Sequence, residues 1–97
     1  MKSSLLFVST LATLAHHAIA ASCTTGINYC GYNLIQKGNY RVEIARELLK
    51  YRQDVNNHNM YHSLFSCGEG GVGWIGYLGT CDGKCVDGGS GKSDGCW

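Results

Sequence analysis

The sequence lacks an excess of charge of either sign. Its 97 residues include 8 Lys or Arg and 7 Asp or Glu, for a formal net charge of +1. A chain with balanced charge has little attraction for a phosphate backbone, so no nucleic-acid partner is expected. The short length excludes a two-domain enzyme or a barrel, because one domain alone takes roughly 100–150 residues.

The sequence also lacks the motifs of several functional classes. It has no G-x-S-x-G elbow for a serine nucleophile. Residues 88–93 (GGSGKS) resemble a phosphate-binding loop, but Val86 stands where that motif requires a glycine. No N-x-[ST] sequon occurs, so N-glycosylation is not expected.

The first twenty residues have the three parts of a secretory signal. A positive start, an uncharged apolar run and an A-x-A cleavage pattern occur at Lys2, 5–15 and 18–20. His16 and His17 end the apolar run before it reaches the ~20 residues of a membrane-spanning helix. We predict cleavage after Ala20 and release of a single domain at 21–97 without a membrane anchor. Loss of Lys2 takes the formal charge from +1 to zero.

Six cysteines follow the predicted signal with the spacing C-x6-C-x36-C-x13-C-x3-C-x10-C: Cys23, Cys30, Cys67, Cys81, Cys85 and Cys96. An even number of cysteines in a short secreted chain predicts three disulfide bonds. Each bond contributes about 2–4 kcal/mol. Three are together comparable to the about 5–15 kcal/mol that separates a typical domain from its unfolded state. We therefore expect folding to depend on them.

The alternative use of these cysteines is a zinc site. Cys81-x3-Cys85 and His58-x3-His62 fall within zinc-ligand spacing, but an oxidising compartment converts the thiols to disulfides. No metal and no cofactor are therefore expected.

Sequence alone does not choose among the possible disulfide pairings. Cys81 and Cys85 flank a tight turn at 82–84, so we expect them to have different partners. In the pairing that we favour, Cys85–Cys96 closes the glycine-rich tail and Cys30–Cys67 ties the start of the helical region to the first predicted strand. Cys23 is then left to pair with Cys81.

The clearest periodic signal is an amphipathic helix over 39–55. Its apolar positions recur at steps of three and four, at Tyr40, Ile44, Leu48, Tyr51 and Val55, with Ala45 and Leu49 beside them. Asn39 is the predicted N-cap. Glu43 with Arg46 and Glu47 with Lys50 are predicted ion pairs on the solvated face.

Strands are predicted on the C-terminal side of this helix. Residues 60–67 and 72–78 form the arms of a hairpin with a turn at 68–71, and 84–87 is a further short strand. Glycines 73 and 76 indicate a bulge or a close backbone approach. A helical turn is predicted at 33–36. The fold class is a small disulfide-rich α+β domain, with one amphipathic helix packed on a short antiparallel sheet.

No catalytic residue is assigned. His58 and His62, with Glu43 or Glu47, would be the acid and base of a small ribonuclease, but the arginines of the helix do not converge on them. Surface or packing histidines are expected instead. The acidic residues of the tail, Asp82, Asp87 and Asp94, are predicted to be solvated turn residues rather than cation ligands.

Aromatic residues are the weak candidates for a binding surface. The segment 67–81 superficially resembles small fungal cellulose-binding modules, and Trp74 and Tyr77 would stack on sugar rings if exposed. On a regular strand they point to opposite faces, and a bulge at Gly76 would return them to one face. The binding residues predicted from the sequence are Trp74, Tyr77, Asp87, Lys92 and Trp97.

The whole chain resembles the small secreted cysteine-rich proteins of filamentous fungi. The residues that carry the resemblance are Cys23, 29–34 (YCGYNL), 38–40 (GNY), 63–67 (SLFSC), 85–89 (CVDGG) and 93–96 (SDGC). Proteins of this type are usually candidate effectors, so the resemblance implies a life outside the cell, and it provides no catalytic residues to carry over to this sequence.

We therefore expect a secreted, monomeric, non-enzymatic protein that binds a host or extracellular protein or glycan. One alternative is a killer or antimicrobial toxin, although membrane-active toxins are usually cationic and the mature charge is zero. The others are a carbohydrate-binding protein and a small secreted ribonuclease.

Overall fold

A computed structural model describes residues 23–68 and 73–97, and the predicted signal peptide at 1–20 lies outside the described residues. Three short helices and five short strands occur in the described part. In chain order they are β1 (Asn28–Cys30), α1 (Gly31–Gly38), α2 (Arg41–Lys50), α3 (Asn57–His62), β2 (Ser63–Cys67), β3 (Ile75–Thr80), β4 (Cys85–Val86) and β5 (Gly95–Cys96).

The strands form two antiparallel sheets. β2 lies in the centre of the larger sheet, with β1 on one side and β3 on the other. β4 and β5 form a separate two-stranded pair in which Cys85 is opposite Cys96. The predicted α+β class is confirmed, and the predicted strand at 84–87 exists as the shorter β4. The predicted turn at 68–71 includes residues 69–71, which lie outside the described residues.

The buried face of α2 forms the centre of the core. Tyr40, Ile44 and Leu48 are buried, as the periodicity predicted, and pack with Phe65 and Ile75 of the sheet. Full burial of one large apolar side chain contributes about 1.5–3 kcal/mol. A smaller buried cluster forms around Cys30, Cys81 and Cys85.

The helix α2 is shorter than predicted at both ends. Asn39 is not its N-cap: with φ 59° and ψ 53° it terminates α1, and its N–H donates to Ile35 O at 3.1 Å. At the other end Arg52 takes a left-handed conformation with φ 61°, and the Gln53 N–H donates to Leu48 O at 2.8 Å. This is a Schellman ending, with an arginine at the position that glycine usually takes.

Several predicted core positions are exposed: Tyr51 and Val55 follow the end of α2, and Leu49 lies within α2 on its solvent-exposed face. Leu49 is 64% exposed, and Tyr51 and Val55 are about half exposed. The predicted helical stripe therefore stops at Leu48, and the prediction that Leu49 widens it is wrong.

The first three residues of the predicted strand at 60–67 are helical. The Asn56 side chain accepts from the Asn59 N–H at 2.8 Å and so caps α3. The strand begins only at Ser63. The asparagine cap outweighs the strand preference of the aromatic residues that follow it, because it pairs a backbone N–H that would otherwise lack a partner.

A bulge occurs in the hairpin, but not at Gly76. Leu64 pairs with Gly79 and Phe65 pairs with Tyr77, which leaves Leu78 as the extra residue of β3. At Gly76 the close neighbour is a side chain and not another backbone segment, because the Trp74 ring lies where a Cβ of residue 76 would be.

All six cysteines form disulfides, but the favoured pairing is wrong in all three bonds. The bonds are Cys23–Cys67, Cys30–Cys85 and Cys81–Cys96, with Cα–Cα distances of 6.2, 5.8 and 5.3 Å. Cys85 faces inward to Cys30 of the first strand, which leaves Cys81 for Cys96. The expectation that Cys81 and Cys85 have different partners is confirmed.

Gly31 is predicted to be essential for the contact between α1 and α3. A Cβ at this position would overlap the Met60 carbonyl, which is backbone and cannot rotate away. Gly31→Ala is therefore expected to cost about 1–3 kcal/mol through overpacking. Improved helix propensity would offset at most about 1 kcal/mol.

Urea unfolding of the oxidised protein measures this change. Gly83→Ala is the control, since a Cβ there meets nothing within 4 Å. Equal stability of the two variants would contradict the predicted close contact.

Candidate functional site

A groove of about 340 Å³ lies between α1 and the loop that joins β4 to β5. Its polar lining includes Asn33, Lys37, Asp87, Lys92 and Asp94. The groove is therefore lined by two of the binding residues predicted from the sequence, Asp87 and Lys92. We treat this groove as the candidate binding site.

The Asp94 carboxylate fixes one wall of the groove. Its Oδ2 accepts from the Cys30 N–H at 2.8 Å and from the Asn33 side-chain amide at 2.9 Å. Its Oδ1 accepts from the Gly88 N–H at 2.8 Å. Asp94 is only 8% exposed, so the prediction that it is a solvated turn residue is wrong.

Asp94 lies at the N-terminus of α1, where a negative charge is favourable. Cys30 is the N-cap of this helix and makes no side-chain capping bond. The Asp94 carboxylate accepts from the N–H of the N-cap residue itself and from the Asn33 side chain, and its negative charge complements the positive end of the helix dipole. No local sequence pattern identifies it, because Cys30 and Asn33 lie 64 and 61 residues away.

The loop 87–94 is also tied along the edge of β1. The Asn28 N–H donates to Ser93 Oγ at 2.9 Å, and the Asp94 N–H donates to Asn28 O at 2.9 Å. Within the loop, the Gly89 N–H donates to Asp87 Oδ1 at 2.9 Å. These bonds hold the backbone while the side chains of Asp87 and Lys92 remain exposed.

The groove presents charges of both signs but no open aromatic face. The Lys37 ammonium lies 5.8 Å from the centre of the Tyr29 ring, and Tyr29 is only 6% exposed. The charge of Asp94 is compensated by its three N–H donors. Lys37, Lys92 and Asp87 therefore dominate the exposed electrostatics of the groove.

Tyr32 of α1 packs against the buried cluster of Cys30, Cys81 and Cys85. Burial raises the pKa of Tyr32, and the neighbouring carboxylates of Asp94 and Asp87 raise it further, while a hydrogen bond from the Asp87 backbone lowers it in part. The tyrosine therefore stays protonated and neutral throughout the physiological range.

The predicted aromatic residues do not share a surface. Trp74 lies over Gly76 and lines a separate cavity of about 140 Å³ with Glu43 and Arg46. Tyr77 is half-buried, with its ring 5.9 Å from Phe65 and its hydroxyl 2.8 Å from Thr80 Oγ1. The bulge at Leu78 lies outside the 74–77 segment and does not bring the two rings onto one face.

Trp97 lies apart from the groove. It is 87% exposed, its N–H donates to Lys84 O at 2.9 Å, and the Lys84 ammonium lies 5.7 Å from its ring centre. Its indole lies directly after β5, at the exposed end of the β4–β5 pair.

Glu47, one of the glutamates considered for ribonuclease chemistry, makes structural contacts. Glu47 is buried, and its Oε1 accepts from the Tyr77 N–H at 3.0 Å while its Oε2 lies 3.9 Å from Lys50 Nζ. Glu47 therefore links α2 to β3, which corrects its predicted place on the solvated face. His58 and His62 instead make their hydrogen bonds to the backbone of Cys81 and Cys85.

Comparisons with known proteins give no relative for this chain. No protein-family model matches it, and no curated protein or solved structure shows significant similarity. Within residues 23–68 and 73–97, no group of three or more metal-ligating side chains is gathered. None of the helices in that part is long and apolar enough to cross a membrane.

Asp94→Asn is predicted to destabilise the protein by about 1–3 kcal/mol, the usual cost of leaving a buried hydrogen-bonding group unpaired. The amide NH2 would replace one oxygen and face N–H donors, either at Gly88 or at Cys30 and Asn33. Urea unfolding measures the loss, with Asp82→Asn in the exposed turn as the matched control. An Asp94→Asn variant as stable as this control would contradict the assignment.

Proposed function

We propose that this protein is a secreted, non-enzymatic binding protein of the effector type, which acts on a host or other extracellular protein through the groove beside α1. The observation that carries the proposal is the fixed loop 87–94, which holds two exposed charged side chains over a cavity. Three disulfides and the predicted signal at 1–20 support a life outside the cell.

The construction of the loop favours binding as its role. Loops that are ordered only on contact lose conformational entropy when a partner binds, which weakens the complex. Here Asp94, Ser93 and the Cys30–Cys85 and Cys81–Cys96 disulfides already fix the backbone on both sides of Asp87 and Lys92. The loop therefore loses much of its conformational entropy when the protein folds, and loses less when a partner binds.

The chemistry of the groove favours a protein partner over a glycan. Sugar rings are typically bound by stacking on exposed aromatic faces, and the aromatic ring of this groove, Tyr29, is buried beneath Lys37. Exposed Lys37, Lys92 and Asp87 instead suit a polypeptide that presents charges of both signs. Such charge complementarity contributes mainly to specificity and association rate.

Export is tested by the intact mass of protein collected from the culture medium. We expect a chain that begins at Ala21 and gains two hydrogens for each of its three disulfides on reduction. Retention of residues 1–20, or six free thiols in the folded protein, would contradict the proposal.

Binding is tested by capture from host extracellular fluid, followed by an affinity measurement on the purified partner. Asp87→Ala combined with Lys92→Ala is expected to raise the dissociation constant about tenfold, which corresponds to about 1.4 kcal/mol. The control is Asp82→Ala with Lys84→Ala, which removes the same charges from exposed positions outside the groove lining. Equal affinities of the two double variants, or capture of a glycan alone, would overturn the groove as a protein-binding site.

A further inference from the structure

Two histidines of α3 hold the segment that runs from Cys81 to Cys85. His58 Nε2 lies 2.8 Å from Cys81 O, and because a carbonyl only accepts, this nitrogen carries a proton. His62 Nδ1 accepts from the Cys85 N–H at 3.1 Å, so this nitrogen carries none. The two partners therefore fix opposite roles for the two rings.

Protonation affects the two hydrogen bonds differently. In neutral His62 the ring proton is on Nε2, so an added proton must go to Nδ1, where it would face the Cys85 N–H. The bond would be replaced by a contact between two donors. The bond from His58 Nε2 to Cys81 survives, because that nitrogen is a donor in both forms. Of these two hydrogen bonds, only the one accepted by His62 is therefore expected to break in acid.

The groups around His62 oppose its protonation. Burial lowers its pKa below the usual 6.5, and the nearby charges of His58 and Lys84 lower it further. The His58 ring centre lies 5.2 Å away, and the Tyr32 ring meets His62 edge-on at 6.0 Å. The carboxylates of Asp87 and Asp94 act on Tyr32 from the loop side.

The sign of the pH dependence follows from this lowered pKa. The unfolded chain takes up a proton at His62 more readily than the folded chain does. The stabilising contribution of neutral His62 is therefore complete above about pH 6.5 and is lost as the pH falls through and below that value.

We propose that His62 is an acid-sensitive latch, whose protonation at Nδ1 releases the Cys85 amide from α3, while Cys81 stays bonded to His58 Nε2 and to the His62 carbonyl. The Cys30–Cys85 and Cys81–Cys96 disulfides still hold the 81–85 segment, so the release is a local opening within a folded protein.

Amide hydrogen exchange and histidine NMR on the oxidised mature chain test the latch. Between about pH 8 and about pH 5, protection of the Cys85 amide is expected to fall at least about tenfold, after correction for the intrinsic exchange rate. The amides of Ile44 and Leu48 in the core helix should keep their protection over the same range.

Two variants separate the latch from a general effect of acid. His62→Asn keeps an acceptor that does not titrate, so the Cys85 amide should become insensitive to pH. His58→Gln keeps a donor toward Cys81 O, so the response of Cys85 should remain. A pH response that persists in His62→Asn, or disappears in His58→Gln, would overturn the proposal.

The wild-type protein gives a test that does not depend on either variant folding. The His62 ring signals and the Cys85 amide shift should titrate with one midpoint, below that of a free histidine. Different midpoints, or no change at Cys85, would refute the latch. None of these measurements uses a binding partner, so failure of the latch and failure of the proposed binding function remain distinguishable.

Discussion

One buried carboxylate determines where the β4–β5 loop of this protein lies. Asp94 joins this loop to the junction of β1 and α1, where its partner Cys30 is 64 residues away in sequence. Cys30 is held there twice, through its N–H by Asp94 and through its sulfur by Cys85. The disulfides connect the β4–β5 pair to the rest of the domain, and the hydrogen bonds of Asp94, together with those between Asn28 and the loop, hold the loop beside α1. The groove lies between the loop and α1.

The features that could be predicted from the sequence are those encoded by nearby residues. The periodicity of Tyr40, Ile44 and Leu48 located the buried face of the main helix, and the even number of cysteines indicated a disulfide framework. Helix and strand boundaries were predicted wrongly where two local signals favoured different structures. Aromatic residues at 60–65 favoured a strand, but the Asn56 cap started a helix first. Likewise, Asn39 can cap a helix at either end, and its left-handed backbone ends α1.

Long-range pairing was beyond local reasoning. Cys85 and Cys96 are close in sequence and directly opposite in β4 and β5, yet each is bonded to a different cysteine. Asp87 was correctly placed in solvent, on the glycine-rich loop between β4 and β5. Asp94 and Glu47 were placed in solvent because their donors lie 64 and 30 residues away, at Cys30 and Tyr77. A buried carboxylate shows no local pattern when its partners come from other elements.

The overlap of the three disulfide loops affects the resistance of this protein to proteolysis. The Cys23–Cys67 loop encloses Cys30, the Cys30–Cys85 loop encloses Cys81, and the third bond reaches from Cys81 to Cys96. Every peptide bond from residue 23 to residue 96 is therefore spanned by at least one cross-link. A single cut anywhere in this stretch leaves the two fragments covalently joined, so an extracellular protease must cleave at least twice before any piece is lost.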